Sequence, residues 1–305
     1  MTTSYASALS AAFDAASGQH YPSGALYVVA TPIGNLADIT LRALHVLNLA
    51  ETIACEDTRH THALLRAYGI DKSSAQLLAV HQHNEAQAGQ AVIERLRQGQ
   101  RVAYASDAGT PAISDPGARL VAAVRLAFLP VIPLPGASSV TAALSVAGIA
   151  GEGAQHGEFV FVGFLSSKAS ERATTVAALA HEARAVVMLE APHRIEALAT
   201  ALATLGERPI TIGRELTKQF EEIATLDASG LPAWLAQDAN RLRGEFVLVL
   251  HPAQTVEHVG PDTRILKLLL AQLPLKTAVK LASDITGEPR NALYDAALTL
   301  KKDSA

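Results

Sequence analysis

Short apolar runs alternate with helical patterns along the first half of this chain. The runs ALYVVA (25–30), TIACE (52–56), QLLAVH (76–81), RVAYAS (101–106) and VIPLP (131–135) have the composition of buried strands. A segment with helical character follows each run; after the first, the leucines Leu41, Leu44 and Leu47 recur at helical spacing. Strict alternation of strand and helix predicts a mostly parallel sheet with helices on its faces.

The glycine-rich segment GIAGEGAQHGE (148–158) interrupts this alternation, which restarts at FVFVGF (159–164) and closes with EFVLVLHP (245–252). Between these two runs, FEEIATL (220–226) is a candidate antiparallel strand. We therefore predict two consecutive α/β domains over 25–150 and 151–252, preceded by a flexible leader over 1–24. Residues 253–305 are predicted to be a linker and a helical tail. In this tail the turn TGEPR separates two helices, as in a helix-turn-helix; a helix pair that packs on the dimer is the alternative.

Charge and cysteine content exclude several classes of protein. The formal net charge is −4, so any surface that binds nucleic acid must be a local one. The single cysteine, Cys55, excludes an internal disulfide and fits a reducing compartment. The most apolar long stretch, 126–150, contains Pro130, Pro133 and Pro135, so it is not a single membrane helix. We expect a soluble, cytoplasmic protein.

Three loops at predicted strand ends combine proline, glycine and small polar residues: TPIGN (31–35), SDAGTP (106–111) and LPGASS (134–139). The carboxyl ends of parallel strands lie at one edge of a sheet, where ligands bind. No dinucleotide-binding glycine motif follows a strand and no Walker A sequence is present, which disfavours NAD-type and P-loop chemistry. These loops therefore predict a ligand site of another kind; three tight turns without a ligand are the alternative.

The motifs ATPIGNLADITLRAL, EDTRHT, HNE, SDAGTPAISDPG, PLPGASS and RELTK, spread between about Tyr27 and Leu250, resemble the tetrapyrrole methylase superfamily. The resemblance is greatest to its ribosomal RNA branch. It implies two α/β domains with S-adenosylmethionine in the cleft between them, usually in a homodimer. It also implies 2′-O-methylation of a cytidine ribose in the decoding region of small-subunit (16S) ribosomal RNA, presented as RNA or as a 30S particle. A small-molecule tetrapyrrole methylase and a non-enzymatic RNA-binding assembly factor are the alternatives.

By this resemblance, the three loops supply the residues that border the cofactor. These are Thr31, Pro32, Gly34, Asn35, Asp107, Gly109, Thr110, Pro135, Gly136 and Ser138. Carboxylates suit the sulfonium and ammonium cations of S-adenosylmethionine, so Asp107, and less so Asp115, is expected to receive them. For Asp115 the stronger expectation is a helix cap, because Pro116 follows it. The segment LEAPHR (189–194) has Ala191 and Pro192 where the family is expected to carry serine or threonine, so a polar contact is expected to be lost there.

Titratable residues next to these loops are candidates for the chemistry. The proton acceptor is expected among Glu56, Asp57, His83 and Glu85, and the sequence does not choose between them. The expected RNA contacts are Arg59, Asn84, Lys168, Arg172, His193, Arg194, Arg214 and Lys218; solvated helix starts and surface ion pairs are the alternative.

Two His-x-His pairs, His60 with His62 and His81 with His83, have a spacing that suits zinc. Methyl transfer from a sulfonium needs no metal, so we expect none.

Overall fold

The computed structural model describes residues 5–81, 84–149, 157–253 and 263–302, apart from the side chains of residues 6, 301 and 302. The chain divides into two compact units, Met1–Ala253 and Gln254–Ala305. The first unit contains both sheets, and the second contains only helices among its described residues.

Five parallel strands form the first sheet. They are β1 (Leu26–Val29), β2 (Thr52–Cys55), β3 (Leu77–Ala79), β4 (Val102–Ala105) and β5 (Val131–Leu134), in the order β3-β2-β4-β1-β5. The helices of this half are α1 (Ala6–Ala16), α2 (Leu41–Leu49), α3 (Thr58–Ala67), α4 (Glu85–Arg97), α5 (Gly117–Leu126) and α6 (Ser139–Val146). Successive residues of β1 enter opposite cores: Tyr27 packs with Leu44 and Leu47 of α2, and Leu26 packs with the cluster that contains residues of α4 and α5. Helices therefore cover both faces of the sheet, as predicted.

The segment predicted as a flexible leader contains a packed helix. Helix α1 lies against α2, and its small residues Ala12 and Ala16 are buried. The backbone N–H of Tyr5 also donates to the carbonyl of Ala67. The prediction was wrong for residues 6–16, because alanines at helical spacing permit close helix packing without the large apolar residues that usually signal a core helix.

A mixed sheet forms the second half of the first unit. Its strands are β6 (Phe159–Phe164), β7 (Ala185–Glu190), β8 (Pro209–Arg214), β9 (Glu222–Asp227) and β10 (Phe246–Leu250), in the order β6-β7-β10-β8-β9. Only the β6–β7 pair is parallel. The edge strand β9 alternates half-buried and exposed residues. It pairs antiparallel with β8, so the antiparallel strand predicted there is confirmed.

Helices α7 (Ala169–Leu179), α8 (Ile195–Leu202) and α9 (Leu231–Ala236) cover one face of this sheet. On the other face, Val140 and Ala143 of α6 pack against Val187 and Val249. Helix α6 thus joins the two sheets into one unit. The predicted fold class is confirmed; the domain borders at 150 and 252 stay predictions.

The second unit consists, in its described residues, of helices α10 (Thr263–Leu270), α11 (Leu275–Thr286) and α12 (Arg290–Lys302). Leu266, Val279 and Leu293, one from each helix, are buried together in its core. Helix α11 ends at Gly287, whose φ of 76° is the left-handed conformation typical of a helix C-terminus. The turn predicted between two tail helices therefore lies where expected. No helix in the described ranges is long and apolar enough to cross a membrane.

Candidate functional site

Hydrogen bonds join the three strand-end loops at the carboxyl edge of the first sheet. Thr31 and Gly109 exchange backbone hydrogen bonds of 3.0 and 3.1 Å, and Thr31 Oγ1 donates to the carbonyl of Ser106 over 3.1 Å. Thr110 Oγ1 donates to the carbonyl of Ala137 over 3.0 Å. The loops thus form a single platform, as their shared position at the sheet edge predicted.

A cavity of about 430 Å³ lies above this platform, and residues of both sheets line it. The first half contributes Ile33, Glu56, Ser106, Ala108, Gly109, Thr110, Ile113, Ser114, Asp115, Ser138, Ser139 and Val140. The second half contributes Phe164, Leu189, Glu190, Ala191, Pro192, Leu216, Lys218, Glu245, Phe246 and Val247. The cavity is therefore the cleft between the two α/β halves.

The predicted cofactor residues take two kinds of position. Gly109, Thr110 and Ser138 line the cavity. Gly136 does not line it, and approaches Ala30 so closely that a β-carbon there would lie 2.8 Å from the Ala30 β-carbon. Thr31, Pro32, Gly34, Asn35, Asp107 and Pro135 are not among the lining residues.

The two aspartates of the SDAGTPAISDPG loop take different positions relative to the cavity. Asp107 does not line the cavity, and its Oδ1 accepts the backbone N–H of Asp57 at 3.2 Å. Asp115 lines the cavity, although its carboxylate also accepts the Tyr104 hydroxyl and the N–H groups of Ala112 and Gly117. The N-cap of α5 is Pro116 and not Asp115, although Asp115 still accepts the N–H of Gly117, the first residue of the helix.

Glu190, at the end of β7, is a site residue that the sequence analysis missed. It is only 2% exposed and lines the cavity, and its Oε1 accepts the Ala191 N–H at 2.9 Å and faces Arg194 Nε at 3.1 Å. Its Oε2 is buried and has no hydrogen-bond partner among the described residues. Such an oxygen is costly unless something donates to it. The available signal was its position directly before Ala191 and Pro192, the two residues predicted to depart from the family pattern.

The loop between β8 and β9 closes one side of the cavity. Leu216 and Lys218 line it, and Lys218 Nζ pairs with Glu215 at 2.8 Å and with Glu245 at 2.9 Å. Glu215 and Thr217 have positive φ angles of 51° and 68°, which are uncommon for residues other than glycine. Backbone strain of this kind concentrates at functional sites.

Of the expected proton acceptors, Glu56 lines the cavity. Asp57 instead caps α3, and its bonds from Arg59 hold the pKa of its carboxyl well below the usual range. Glu85 pairs with Arg119 at 2.5 Å and lines an open depression of about 590 Å³, which adjoins the cavity at Ile113, Ser114 and Asp115. His83 lies outside the described residues.

The expected RNA contacts separate into exposed and internal side chains. Arg59 and Lys168 are exposed, each in a surface ion pair, and His193 is exposed as well. Arg172 and Arg194 donate to backbone carbonyls of residues 165–167. Arg214 is buried, with bonds to the carbonyls of Phe220 and Arg243.

For Arg172, Arg194 and Arg214 these internal bonds occupy guanidinium donors that a phosphate contact would use, and RNA contact at these residues stays a prediction. The amide of Asn84 is likewise used internally, since it accepts the His81 N–H and donates to the carbonyl of Ala79.

No group of three or more potential metal-ligating side chains occurs among the described residues. His60 and His62 are both described, whereas the pair of His81 with His83 is only half described. No metal enters the chemistry considered below.

The chain matches known families over most of its length. Residues 25–232 match the family model described as Tetrapyrrole (Corrin/Porphyrin) Methylases, and residues 262–301 match the RsmI C-terminal HTH domain. Solved structures share the fold: uroporphyrin-III-C-methyltransferase from Thermus thermophilus has a TM-score of 0.52 at 23% identity, covering 75% of this chain and 94% of that one. A form of such an enzyme complexed with S-adenyl homocysteine has a TM-score of 0.50 at 17% identity, covering 73% of this chain and 96% of that one.

Curated relatives are much more similar in sequence. Ribosomal RNA small subunit methyltransferase I from Neisseria meningitidis serogroup A is 49% identical over 282 residues, covering 91% of this chain and 94% of the relative. The protein of the same name from Escherichia coli O157:H7 is 45% identical, covering 90% of this chain and 95% of the relative. The resemblance inferred from the motifs is confirmed: the chain belongs to the tetrapyrrole methylase family and, within it, to the ribosomal RNA small subunit methyltransferase I family.

Proposed function

We propose that this chain transfers a methyl group from S-adenosylmethionine to the 2′-hydroxyl of a cytidine ribose in the decoding region of small-subunit (16S) ribosomal RNA. The observation that carries the proposal is the cleft between the halves, which bears the carboxylates of Glu56, Asp115 and Glu190 in a chain of this family. Glu245 lines the cleft as well, and four carboxylates with one lysine, Lys218, among the described lining residues suit a cationic ligand better than a phosphate.

The cleft fits the cofactor in chemistry. S-adenosylmethionine supplies an electrophilic methyl group on a sulfonium sulfur. The buried Oε2 of Glu190, which has no partner in the described part of the chain, is an acceptor for an ammonium or hydroxyl group. Gly109, Thr110 and Ser138 would border the bound molecule, and Gly109 has a positive φ of 79° that favours glycine.

The protein's own contribution to the reaction is positioning and exclusion of water. Ile33, Phe164, Leu216 and Val247 give the cleft an apolar wall. A positive charge disappears during methyl transfer, so a wall that excludes water lowers the barrier relative to bulk solvent. Fixed alignment of two reactants is worth effective molarities of roughly 10⁵–10⁸ M.

The RNA would be held by cations at the rim of the cleft. Arg59 and Lys168 are the exposed candidates, with side chains 90% and 74% exposed. Lys218 sits at the cavity itself. Because ribose in folded RNA is recognised through shape and neighbouring nucleotides, a small subunit or late assembly particle should be a better substrate than naked RNA.

Two further parts of the proposal concern assembly and location. Leu126 and Phe128, at the end of α5, are 79% and 96% exposed, which favours burial against a second copy in a homodimer. The activity belongs in the cytoplasm, with the proposed ribosomal substrate.

Mass spectrometry of small-subunit ribosomal RNA tests the proposal. RNA from a strain without the gene should lack one ribose methyl on a decoding-region cytidine, and wild-type complementation should restore it. Purified protein should also bind S-adenosylhomocysteine in calorimetry. RNA with unchanged methylation would contradict the proposal and favour a small-molecule tetrapyrrole methylase or a non-enzymatic assembly factor.

A further inference from the structure

Glu56 is placed differently from every other candidate for proton transfer. It directly follows β2, is half-buried and lines the cavity between the two α/β halves. Its Oε1 accepts the backbone N–H of Asp107 at 3.1 Å. Its Oε2 makes no hydrogen bond within the part of the chain that the structure describes. One oxygen is therefore anchored, and the other is available to a ligand.

The described alternatives are occupied. Both oxygens of Asp57 receive hydrogen bonds from the Arg59 guanidinium, at 3.1 and 2.7 Å. Glu85 is engaged by Arg119 and does not line this cavity. Asp115 does line it, but its two oxygens accept three hydrogen bonds from Tyr104, Ala112 and Gly117.

The charges around Glu56 favour a stronger base than an exposed glutamate. Burial raises the pKa of Glu56; the hydrogen bond from Asp107 opposes this, and the charges of Asp115 and Asp107 add to it. Two further titratable neighbours, Tyr104 and Cys55, are neutral at physiological pH, because burial raises the pKa of the Tyr104 hydroxyl and raises that of the Cys55 thiol to about 11. The net result is a pKa above the usual range for a glutamate.

We propose that Glu56 is the proton acceptor for the ribose 2′-hydroxyl, an inference that rests on the proposed function. As the 2′-oxygen bonds to the methyl carbon, the carbon–sulfur bond breaks and its electron pair stays on sulfur. The hydroxyl proton passes to Glu56 Oε2 and then to water. Charge balances, because one sulfonium cation is replaced by one released proton.

The test compares Glu56→Gln with wild type, and uses Glu207→Gln as the matched control. Glutamine keeps an acceptor for the Asp107 N–H but cannot take up the proton. Glu207 is exposed and lies just before β8. Single-turnover methylation of small subunits should fall roughly 10²–10⁴-fold in Glu56→Gln and stay unchanged in Glu207→Gln. Calorimetric affinity for S-adenosylhomocysteine should be unchanged in both variants.

Two pH measurements separate proton transfer from a structural role. The wild-type rate should rise with pH through the pKa of Glu56 and then level off, and Glu56→Gln should lose this limb. Carbon-13 NMR of labelled glutamates, with the Glu56 signal assigned by its loss in Glu56→Gln, should show a higher pKa for Glu56 than for an exposed glutamate in the protein without RNA. If Glu56→Gln fails to fold, Glu56→Asp should retain the pH limb at a reduced rate.

The outcomes are distinct. An unchanged methylation rate in Glu56→Gln would overturn the assignment and show that Glu56 has no part in proton transfer. A fall in S-adenosylhomocysteine affinity together with the rate would overturn it too, and would make Glu56 a cofactor contact. Failure of the wild-type protein to methylate any small-subunit RNA would instead overturn the proposed function, and the assignment with it.

Discussion

The side chain of Lys218 lies directly over Gly34, so close that a β-carbon at Gly34 would lie 2.3 Å from Lys218 Cγ. Next to it, the N–H of Asn35 donates to Thr217 Oγ1 over 3.1 Å. The loop after β1 and the loop after β8 thus meet at the rim of the cleft, although they are about 180 residues apart in sequence. This contact ties the two α/β halves together beside the cavity.

We expect Gly34→Ala to disturb this contact. The added methyl group would displace the stem of Lys218 and destabilise the protein by about 1–3 kcal/mol, as overpacking generally does. Urea unfolding followed by circular dichroism measures the change. Gly18→Ala, where nothing lies within 4 Å of the new atom, is the control and should change stability by less than about 0.5 kcal/mol. Lys218→Ala removes the clashing stem, so Gly34→Ala should cost less stability in a Lys218→Ala protein than in wild type. If Gly34→Ala costs the same in both proteins, a clash with Lys218 is not the cause.

Asp115→Ala should destabilise the platform even without a ligand. It would leave the buried hydroxyl of Tyr104 and two backbone N–H groups without their acceptor. A buried donor left unpaired costs about 1–3 kcal/mol. Thermal unfolding would show the loss, with the exposed Asp71→Ala as control. A stable Asp115→Ala protein that has lost only cofactor affinity would mean that Asp115 acts on the ligand alone.

Arg194→Ala and Lys168→Ala should separate a structural cation from an RNA contact. Removing Arg194 leaves the buried carboxylate of Glu190 unpaired, so we expect a loss of about 3–5 kcal/mol. Lys168→Ala should leave stability unchanged and make the dependence of log affinity for RNA on log salt shallower by about one unit or less. Filter binding across a salt series measures the slope. If Arg194→Ala makes the salt dependence shallower at unchanged stability, Arg194 contacts RNA and is not a structural cation.

The ion pair of Lys218 with Glu215 should stabilise the protein within a defined pH window. Burial raises the pKa of Glu215, but hydrogen bonds from Lys218 and Glu245 together with nearby positive charge bring it below the usual range. This contribution is present above the ordinary pKa of about 4.3 and is lost as pH falls through the lower folded value.

Lys218 behaves in the opposite sense. Burial lowers its pKa, but bonds to Glu215 and Glu245 raise it above the usual range. Its contribution is present below about pH 10.4 and is lost as pH rises through the folded value. Glu215→Gln should therefore be less stable than wild type between about pH 5 and 10, and the difference should shrink in acid. Urea unfolding at several pH values measures it, with the exposed Glu207→Gln as control; a difference independent of pH would exclude the ion pair as its cause.

Deletion of the tail after about residue 261 should weaken RNA binding and retain methyl transfer, because all three platform loops lie in the first unit. Leu266, Val279 and Leu293 already form a core within the tail itself. Binding to small subunits and light scattering would be measured on the shortened chain. If stability or oligomer mass falls while the dependence of RNA affinity on salt is unchanged, the tail packs on the first unit or on a partner subunit and does not contact RNA.

The alternation of apolar runs and helical patterns was sufficient to predict two α/β halves, the antiparallel strand β9 and the ligand edge. Such patterns are local and repeat with the period of the element, so a single chain reveals them. The same reasoning missed α1, whose core contacts are alanines.

Tertiary structure alone decided which polar side chains face the cleft. Asp107 and Asp115 belong to one loop, yet only Asp115 lines the cavity. Arg214 ends a strand as a rim cation would, but its guanidinium reaches the carbonyls of Phe220 and Arg243. Glu190 is assigned to the site because it lines the cavity and its buried Oε2 receives no hydrogen bond within the described ranges. The direction and satisfaction of a polar group depend on partners distant in sequence, and no periodicity of the chain encodes them.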